Sequence, residues 1–209
     1  MRRRYLWLTA GAAVVVAAGV FVGVRLSAGV PVVAVDQARE RAMMPAITAY
    51  LQSRAYRDLN GGPYPSAAYR TGQVRWLCNA AIVYISSDGT RWRVGMDVAC
   101  GDYDRHGNMV IMEDGGDMGH VVMMLSGGHG RYQVLTAAQE PGVSPDPAWI
   151  DQNFPAAAAA EVNQGAGPMA SVPDGRALLA FGCTAGSAHG SVIPEGQSGA
   201  WGWPCTSPA

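Results

Sequence analysis

Carboxylates spaced like calcium ligands occur between Asp102 and Glu113. Asp102, Asp104 and Glu113 take positions 1, 3 and 12 of the pattern, and Gly107 takes the sharp turn at position 6. Position 5 is His106, whose nitrogen is a poor calcium ligand, and the flanking segments alternate like strands instead of forming EF-hand helices. We therefore predict a polar hairpin between two strands, with a calcium site as the alternative and no other cofactor.

The other polar groups form no recognisable catalytic motif. The four histidines lack metal-ligand spacings such as H-x-x-x-H. The string nearest to G-x-S-x-G, at residues 182–186, has Thr in the nucleophile position. Asp97 and Asn79 are polar residues on the strand faces opposite the row of Trp and Cys residues. A buried acid or base facing a cavity would favour a small enzyme, whereas a cavity filled by Met and Trp would favour a binding or structural role.

Methionines cluster in two adjacent strand candidates. Core packing is their ordinary role, because a flexible thioether fills irregular gaps. In a curved sheet the same residues would line a concavity for a small apolar ligand. The predicted cavity residues are Met112, Met123 and Trp92.

The first 25 residues resemble a signal anchor. Three arginines precede an uncharged stretch from Tyr5 to Val24, which would span about 30 Å as a helix, the thickness of a bilayer core. The positive charges predict a cytoplasmic N-terminus and a single-pass protein whose remainder is extracytoplasmic. Cleavage near Ala34 and secretion is the alternative.

The remaining 180 residues carry 11 Arg and 16 acidic residues, a formal charge of −5. This charge disfavours nucleic acid as a partner. The predicted partners are the membrane, through the N-terminal helix, and either an envelope protein or a small apolar ligand.

The four cysteines of an exported chain predict two disulfides. Residues 74–84 and 92–100 alternate in hydrophobicity around a turn at Asp88-Gly89-Thr90. With that turn as a three-residue loop, the register that aligns the apolar faces places Cys78 opposite Cys100 and Ile82 opposite Met96. We therefore predict Cys78–Cys100 and, by elimination, Cys183–Cys205.

The predicted fold class is α+β. After the transmembrane helix, a helix over residues 36–57 is expected to pack on a curved antiparallel meander of four to five strands at residues 73–86, 90–103, 108–113, 118–126 and 131–138. A short helix follows over residues 148–163, interrupted at Pro155. The domains are predicted as residues 1–29 (Arg cluster and anchor), 30–164 (exported domain) and 165–209 (an irregular Gly/Pro/Ser-rich tail tied by the second disulfide).

The stretch from Asp36 to about Asn163 resembles cystatin-like and nuclear-transport-factor-like cone folds in their exported actinobacterial versions, which follow one membrane helix. The resemblance rests on the Ala/Met/Tyr/Leu helix, the strand from Trp92 to Cys100, the strand starting Arg131-Tyr132-Gln133-Val134, and Trp149-Ile150 leading to Phe154-Pro155. It implies a scaffold or ligand-binding role more often than catalysis and assigns no functional residue. The predicted function is a non-catalytic, membrane-anchored binding or assembly module, and the alternatives are a small cavity-based enzyme or a calcium-binding domain.

Overall fold

The computed structural model describes residues 32–33, 35–60, 66–112, 117–128, 130–142, 144–171, 173–184, 191–192 and 201–206. These residues all belong to the unit Val32–Ala209. The predicted anchor, the cleavage site near Ala34 and Glu113 lie outside the described residues. Within the described ranges, none of the helices combines the length and apolarity needed to cross a bilayer.

The described residues form six helices and one antiparallel sheet of eight strands, which confirms the α+β class. The helices are α1 Gln37–Leu51, α2 Arg54–Asn60, α3 Ser66–Thr71, α4 Pro147–Asn153, α5 Ala156–Asn163 and α6 Asp174–Ala180. The strands are β1 Val32–Val33, β2 Val74–Ser87, β3 Arg91–His106, β4 Met109–Met112, β5 Asp117–Gly128, β6 Arg131–Gln139, β7 Ser191–Val192 and β8 Trp201–Pro204. The helix predicted over residues 36–57 is divided into α1 and α2, and the one over 148–163 is divided into α4 and α5 at Pro155.

Strand β3 is the centre of the sheet. β2 pairs along most of one edge of β3, while residues 91–100 of the other edge pair with β5 and residues 103–106 pair with β4. β6 continues from β5, and β8 and β7 continue from β4. The predicted simple meander is therefore wrong after β4, because β5 returns to β3 instead of pairing with β4. A four-residue β4 covers only a quarter of the 16-residue β3, which leaves the rest of that edge for β5.

Helix α1 covers one face of the sheet. It begins where the Asp36 carboxylate accepts a hydrogen bond of 2.9 Å from the N–H of Ala38, an ordinary N-cap. Met43, Ile47 and Leu51 recur every four residues and are at most 1% exposed, so they form the stripe that enters the main core. The indole N–H of Trp76 in β2 donates to the Leu51 carbonyl at 3.0 Å, which joins the end of the helix to the sheet.

Helices α4 and α5 cover the opposite face, as strand alternation shows. Neighbouring residues of a strand point to opposite faces, and Val121 enters the core with α1 whereas Val122 packs with Ile150 and Phe154. Tyr84 joins this second core, with its ring 5.1 Å from Phe154 in an edge-to-face contact. The face of α4 and α5 is the one that carries the candidate site.

The disulfide prediction is confirmed. Cys78 bonds Cys100 and Cys183 bonds Cys205. Cys78 lies opposite Cys100 in the β2–β3 ladder and Ile82 lies opposite Met96, which is the predicted register. A bulge at Val83 then shifts the pairing by one residue, so that Tyr84 faces Gly95.

The C-terminal tail is more ordered than predicted, since α6, β7 and β8 all come from it. Ala177 and Leu178 of α6 and Trp203 of β8 pack with Tyr103 and Val110 in a third core, beside the Cys183–Cys205 disulfide. The second disulfide is present as predicted, and the described part of the tail has regular elements where an irregular segment was expected. Its apolar residues are sparse in sequence but gain a core by packing on β3 and β4.

Candidate functional site

A cleft of about 370 Å³ lies on the face of α4 and α5. Its floor is formed by β3 and β5, and its walls by the 144–145 loop, the end of α5 and residues 164–171, here called the strap. Clefts of this size hold small molecules. Its lining includes Asp97, Met118, His120, Pro145, Val162 and Met169.

The strap is held over the sheet at both ends. Gly165 has a φ of 67° and turns the chain out of α5, while the next N–H, of Ala166, still donates to the Glu161 carbonyl. At the far end, the Asn79 side-chain amide donates to the Ser171 carbonyl at 2.9 Å. The strap therefore forms a fixed wall of the cleft.

Asp97 and His120 form the floor of the cleft. They lie directly opposite each other in the β3–β5 ladder, so their side chains emerge side by side from the same face. The Asp97 residue is 8% exposed and His120 is 9% exposed. The N–H of Ala170 in the strap donates to Asp97 Oδ2 at 2.6 Å, while Oδ1 lies 3.7 Å from His120 Nε2, beyond hydrogen-bond distance.

Burial raises the pKa of Asp97 above its ordinary value, because the charged form loses water. The hydrogen bond from Ala170 and the nearby His120 imidazole oppose this rise, whereas the Glu140 carboxylate adds to it. For Asp97 the effect of burial therefore outweighs the stabilisation of the ionised form by its described neighbours.

Glu140 fixes His120 from behind. Its Oε2 lies 2.8 Å from His120 Nδ1 and accepts the His120 backbone N–H at 3.1 Å. Its Oε1 accepts the N–H of Asp146, and the Ser144 hydroxyl also bonds the carboxylate. Burial alone would raise the pKa of Glu140, but these hydrogen bonds outweigh it and the pKa lies below its ordinary value.

An ionised Glu140 accepts hydrogen bonds only, so Nδ1 of His120 carries the proton it shares with Glu140. Nε2 is then the nitrogen that faces Asp97. Phe154 packs edge-on against the imidazole with ring centres 5.8 Å apart, which further restricts the ring. The arrangement can offer a ligand one carboxylate oxygen and one imidazole nitrogen at defined positions.

Asp102 and Asp104, two of the three predicted calcium ligands, lie at the far end of β3, and Glu113 lies outside the described residues. The predicted hairpin is present, with Gly107 at the turn at a φ of 62°. Asp102 is 3% exposed, and Asp104 accepts the Arg105 N–H and lies 3.2 Å from His106 Nε2. The described residues contain no group of three or more acidic, His or Cys side chains placed to hold a metal ion.

The predicted ligand-cavity residues lie in packed regions instead of the cleft. Met123 is fully buried in the main core under α1, and Met112 is buried in the third core near the tail. Trp92 is partly buried, with the Arg39 guanidinium 4.5 Å from its ring centre. Helix α1 fills the face of the sheet that carries Met123, and the tail covers Met112.

Sequence reasoning identified Asp97 and Asn79 as polar residues on this face but missed His120 and Glu140 as their neighbours. The sequence did contain a signal for His120. It directly precedes the apolar run of β5, so the alternation of that strand places its side chain on the face opposite Val121. Glu140 follows the end of β6, where no sequence pattern marks a carboxylate that turns inward.

Comparison of the chain with protein-family models, with curated proteins and with solved structures finds no match. The class that the fold and site define is therefore limited to a disulfide-bonded α+β domain with a small cleft.

Proposed function

We propose that the chain is a membrane-anchored, extracytoplasmic binding module whose cleft holds a small, largely apolar ligand without a chemical step. The observation that carries this proposal is the cleft itself, which has mostly apolar walls and two buried polar residues, Asp97 and His120, on its floor. Few and well-placed polar groups in an apolar cleft are typical of small-molecule sites. The export and anchoring rest on the N-terminal sequence and on disulfide bonding.

The position of Ser144 supports binding over hydrolysis. A serine nucleophile would need to lie at the imidazole nitrogen that faces the substrate. The Ser144 hydroxyl instead lies 3.5 Å from Nδ1, the nitrogen already engaged with Glu140. The arrangement therefore orients His120 but does not activate this serine.

Methionine-methyl NMR of the full-length chain tests ligand binding, with phenylbutanol as the probe. Met118 and Met169 line the cleft, so their methyl signals should shift on titration, whereas those of Met43 and Met123 in the main core should not. Absence of any shift at millimolar probe, or equal shifts at all four residues, would overturn the proposal.

A matched pair of variants locates the binding. Val162→Phe should fill the wall of the cleft and weaken phenylbutanol binding, whereas Leu179→Phe, at a residue on α6 that is 62% exposed, should leave it unchanged. Equal affinities in the two variants would place the probe elsewhere.

A second candidate function is acid–base catalysis by His120. The observation in its favour is that Glu140 fixes Nδ1 and leaves Nε2 3.7 Å from Asp97, an arrangement that can move a proton. Hydrolysis of p-nitrophenyl acetate distinguishes the two functions. A binding module should hydrolyse it at the same rate as its His120→Gln variant, and a clear loss of rate in that variant would favour the enzyme.

A further inference from the structure

The charges around the cleft are unbalanced. Two titratable residues line it, Asp97 and His120, and the carboxylate of Glu140 lies directly behind the imidazole. Two carboxylates therefore surround a single imidazole, and the described lining residues include no Arg. The two carboxylates would repel a negatively charged ligand, whereas a cation would be attracted to them.

Of the two carboxylates, only Asp97 is placed to receive a ligand. Glu140 has both oxygens engaged, by the Asp146 N–H, by His120 and by Ser144. Asp97 uses Oδ2 for the Ala170 N–H, whereas the nearest polar atom to Oδ1 among the described residues is His120 Nε2 at 3.7 Å. A buried carboxylate gains most from a partner that both donates hydrogen bonds and carries a positive charge.

The mouth of the cleft is apolar. Met118 on β5 is 47% exposed and Met169 on the strap is 72% exposed, and both line the cleft. Both are flexible side chains that adapt to an apolar body of varied shape. Pro145, Pro168 and Val162 extend the apolar lining.

We propose that the ligand of this cleft is a small amphipathic amine, whose ammonium group donates to Asp97 Oδ1 and whose apolar body lies between Met118 and Met169. This inference rests on the proposed binding function and adds the chemical class of the ligand. The burial of Asp97 beside a single imidazole, with no Arg among the described lining residues, supports it, because the amine would add a positive charge and hydrogen-bond donors at Oδ1.

Three probes with one apolar body and different head groups test the charge preference: phenylbutylamine, phenylbutanol and phenylbutyrate. Each is titrated into the full-length chain at neutral pH, and affinity is read from the methyl signals of Met118 and Met169. A charge-assisted hydrogen bond should make the amine bind about tenfold or more tightly than the alcohol. The carboxylate probe should bind most weakly of the three.

The Asp97→Asn variant removes the charge and keeps the shape of the side chain. We expect its affinity for phenylbutylamine to fall to that for phenylbutanol, with phenylbutanol binding unchanged. Glu161→Gln, on the exposed side of α5, is the matched control and should retain the preference for the amine.

The outcomes separate this inference from the proposed function. Equal affinities for the amine and the alcohol in the native chain would refute the proposal that the ligand is an amine, and so would a preference for the amine that survives Asp97→Asn. Either result would leave the proposed binding function standing. Failure of all three probes to shift Met118 and Met169 would overturn both.

Discussion

Replacing Gly95 of β3 by alanine should displace the ring of Tyr84, a β2 residue that also bonds α4. Gly95 lies opposite Tyr84, and a Cβ built on it would stand 2.0 Å from Cε1 and 2.5 Å from Cδ1 of the tyrosine ring. The ring cannot move aside at low cost, because Tyr84 is fully buried and its hydroxyl donates to the Asn153 carbonyl at 2.9 Å. The same hydroxyl accepts a hydrogen bond of 3.0 Å from Arg93 Nε.

The magnitude follows from the ring that must be displaced. A buried tyrosine removes about 200 Å² from water, worth about 5 kcal/mol at about 25 cal/mol per Å². If the ring shifts only partly, some of that area stays buried. Each hydrogen bond lost from the hydroxyl costs about 1 kcal/mol. We therefore expect Gly95→Ala to lower the free energy of unfolding by about 4 kcal/mol.

Urea unfolding of the oxidised full-length chain, followed by circular dichroism, measures this loss. Gly128→Ala is the control, because a Cβ there meets no atom within 4 Å, and its effect should stay within about 0.5 kcal/mol. A double-mutant cycle gives the sharper test, since the cost of Gly95→Ala should largely vanish in a Tyr84→Ala background. A cost that persists in that background, or a Gly95 effect as small as the control, would refute the steric argument.

Three further predictions concern the disulfide and the two carboxyls of the site. Replacing Cys78 and Cys100 together by alanine should lower the free energy of unfolding by about 3 kcal/mol, judged by urea unfolding, because the bond closes a long loop of the unfolded chain. The pKa of Glu140 is lower in the folded chain than its ordinary value of 4.5. The ionised carboxylate therefore stabilises the folded state above pH 4.5, and this stabilisation is lost as the pH falls through the folded pKa. Glu140→Gln should therefore be less stable at neutral pH by about 3 kcal/mol and show a flatter acid dependence, and an unchanged acid limb would contradict this. The pKa of Asp97 is raised in the folded chain, so its ionisation lowers the free energy of unfolding as the pH rises from 3.8 through the folded pKa. At neutral pH, Asp97→Asn should therefore unfold at a urea concentration equal to or higher than that of the native chain.

The sequence predicted the β2–β3 ladder because two independent signals agreed on one register. Alternation places Ile82 opposite Met96, and the same register brings Cys78 to Cys100. The bulge at Val83 could not be predicted, because alternation along one strand does not show where its partner gains or loses a residue. That bulge brings Tyr84 opposite Gly95 and so creates the contact tested above.

The candidate site was only half predictable. Asp97 stands out as a charge within a buried strand, but its neighbours come from other parts of the chain. His120 reaches it only because β5 returns to β3, and Glu140 reaches His120 only because β6 ends beside β5. Such pairings depend on the competition between strand edges, which no local pattern of residues encodes.

The pairing of β8 with β4 has a consequence for synthesis on the ribosome. Translation proceeds toward the C-terminus, so β4 has no neighbour on its outer side until residues 201–204 emerge. Until then its unpaired N–H and carbonyl groups are a template on which another nascent polypeptide could add a strand. Premature termination before residue 201 should therefore yield a product prone to self-association, even though the cleft with Asp97 and His120 is already encoded.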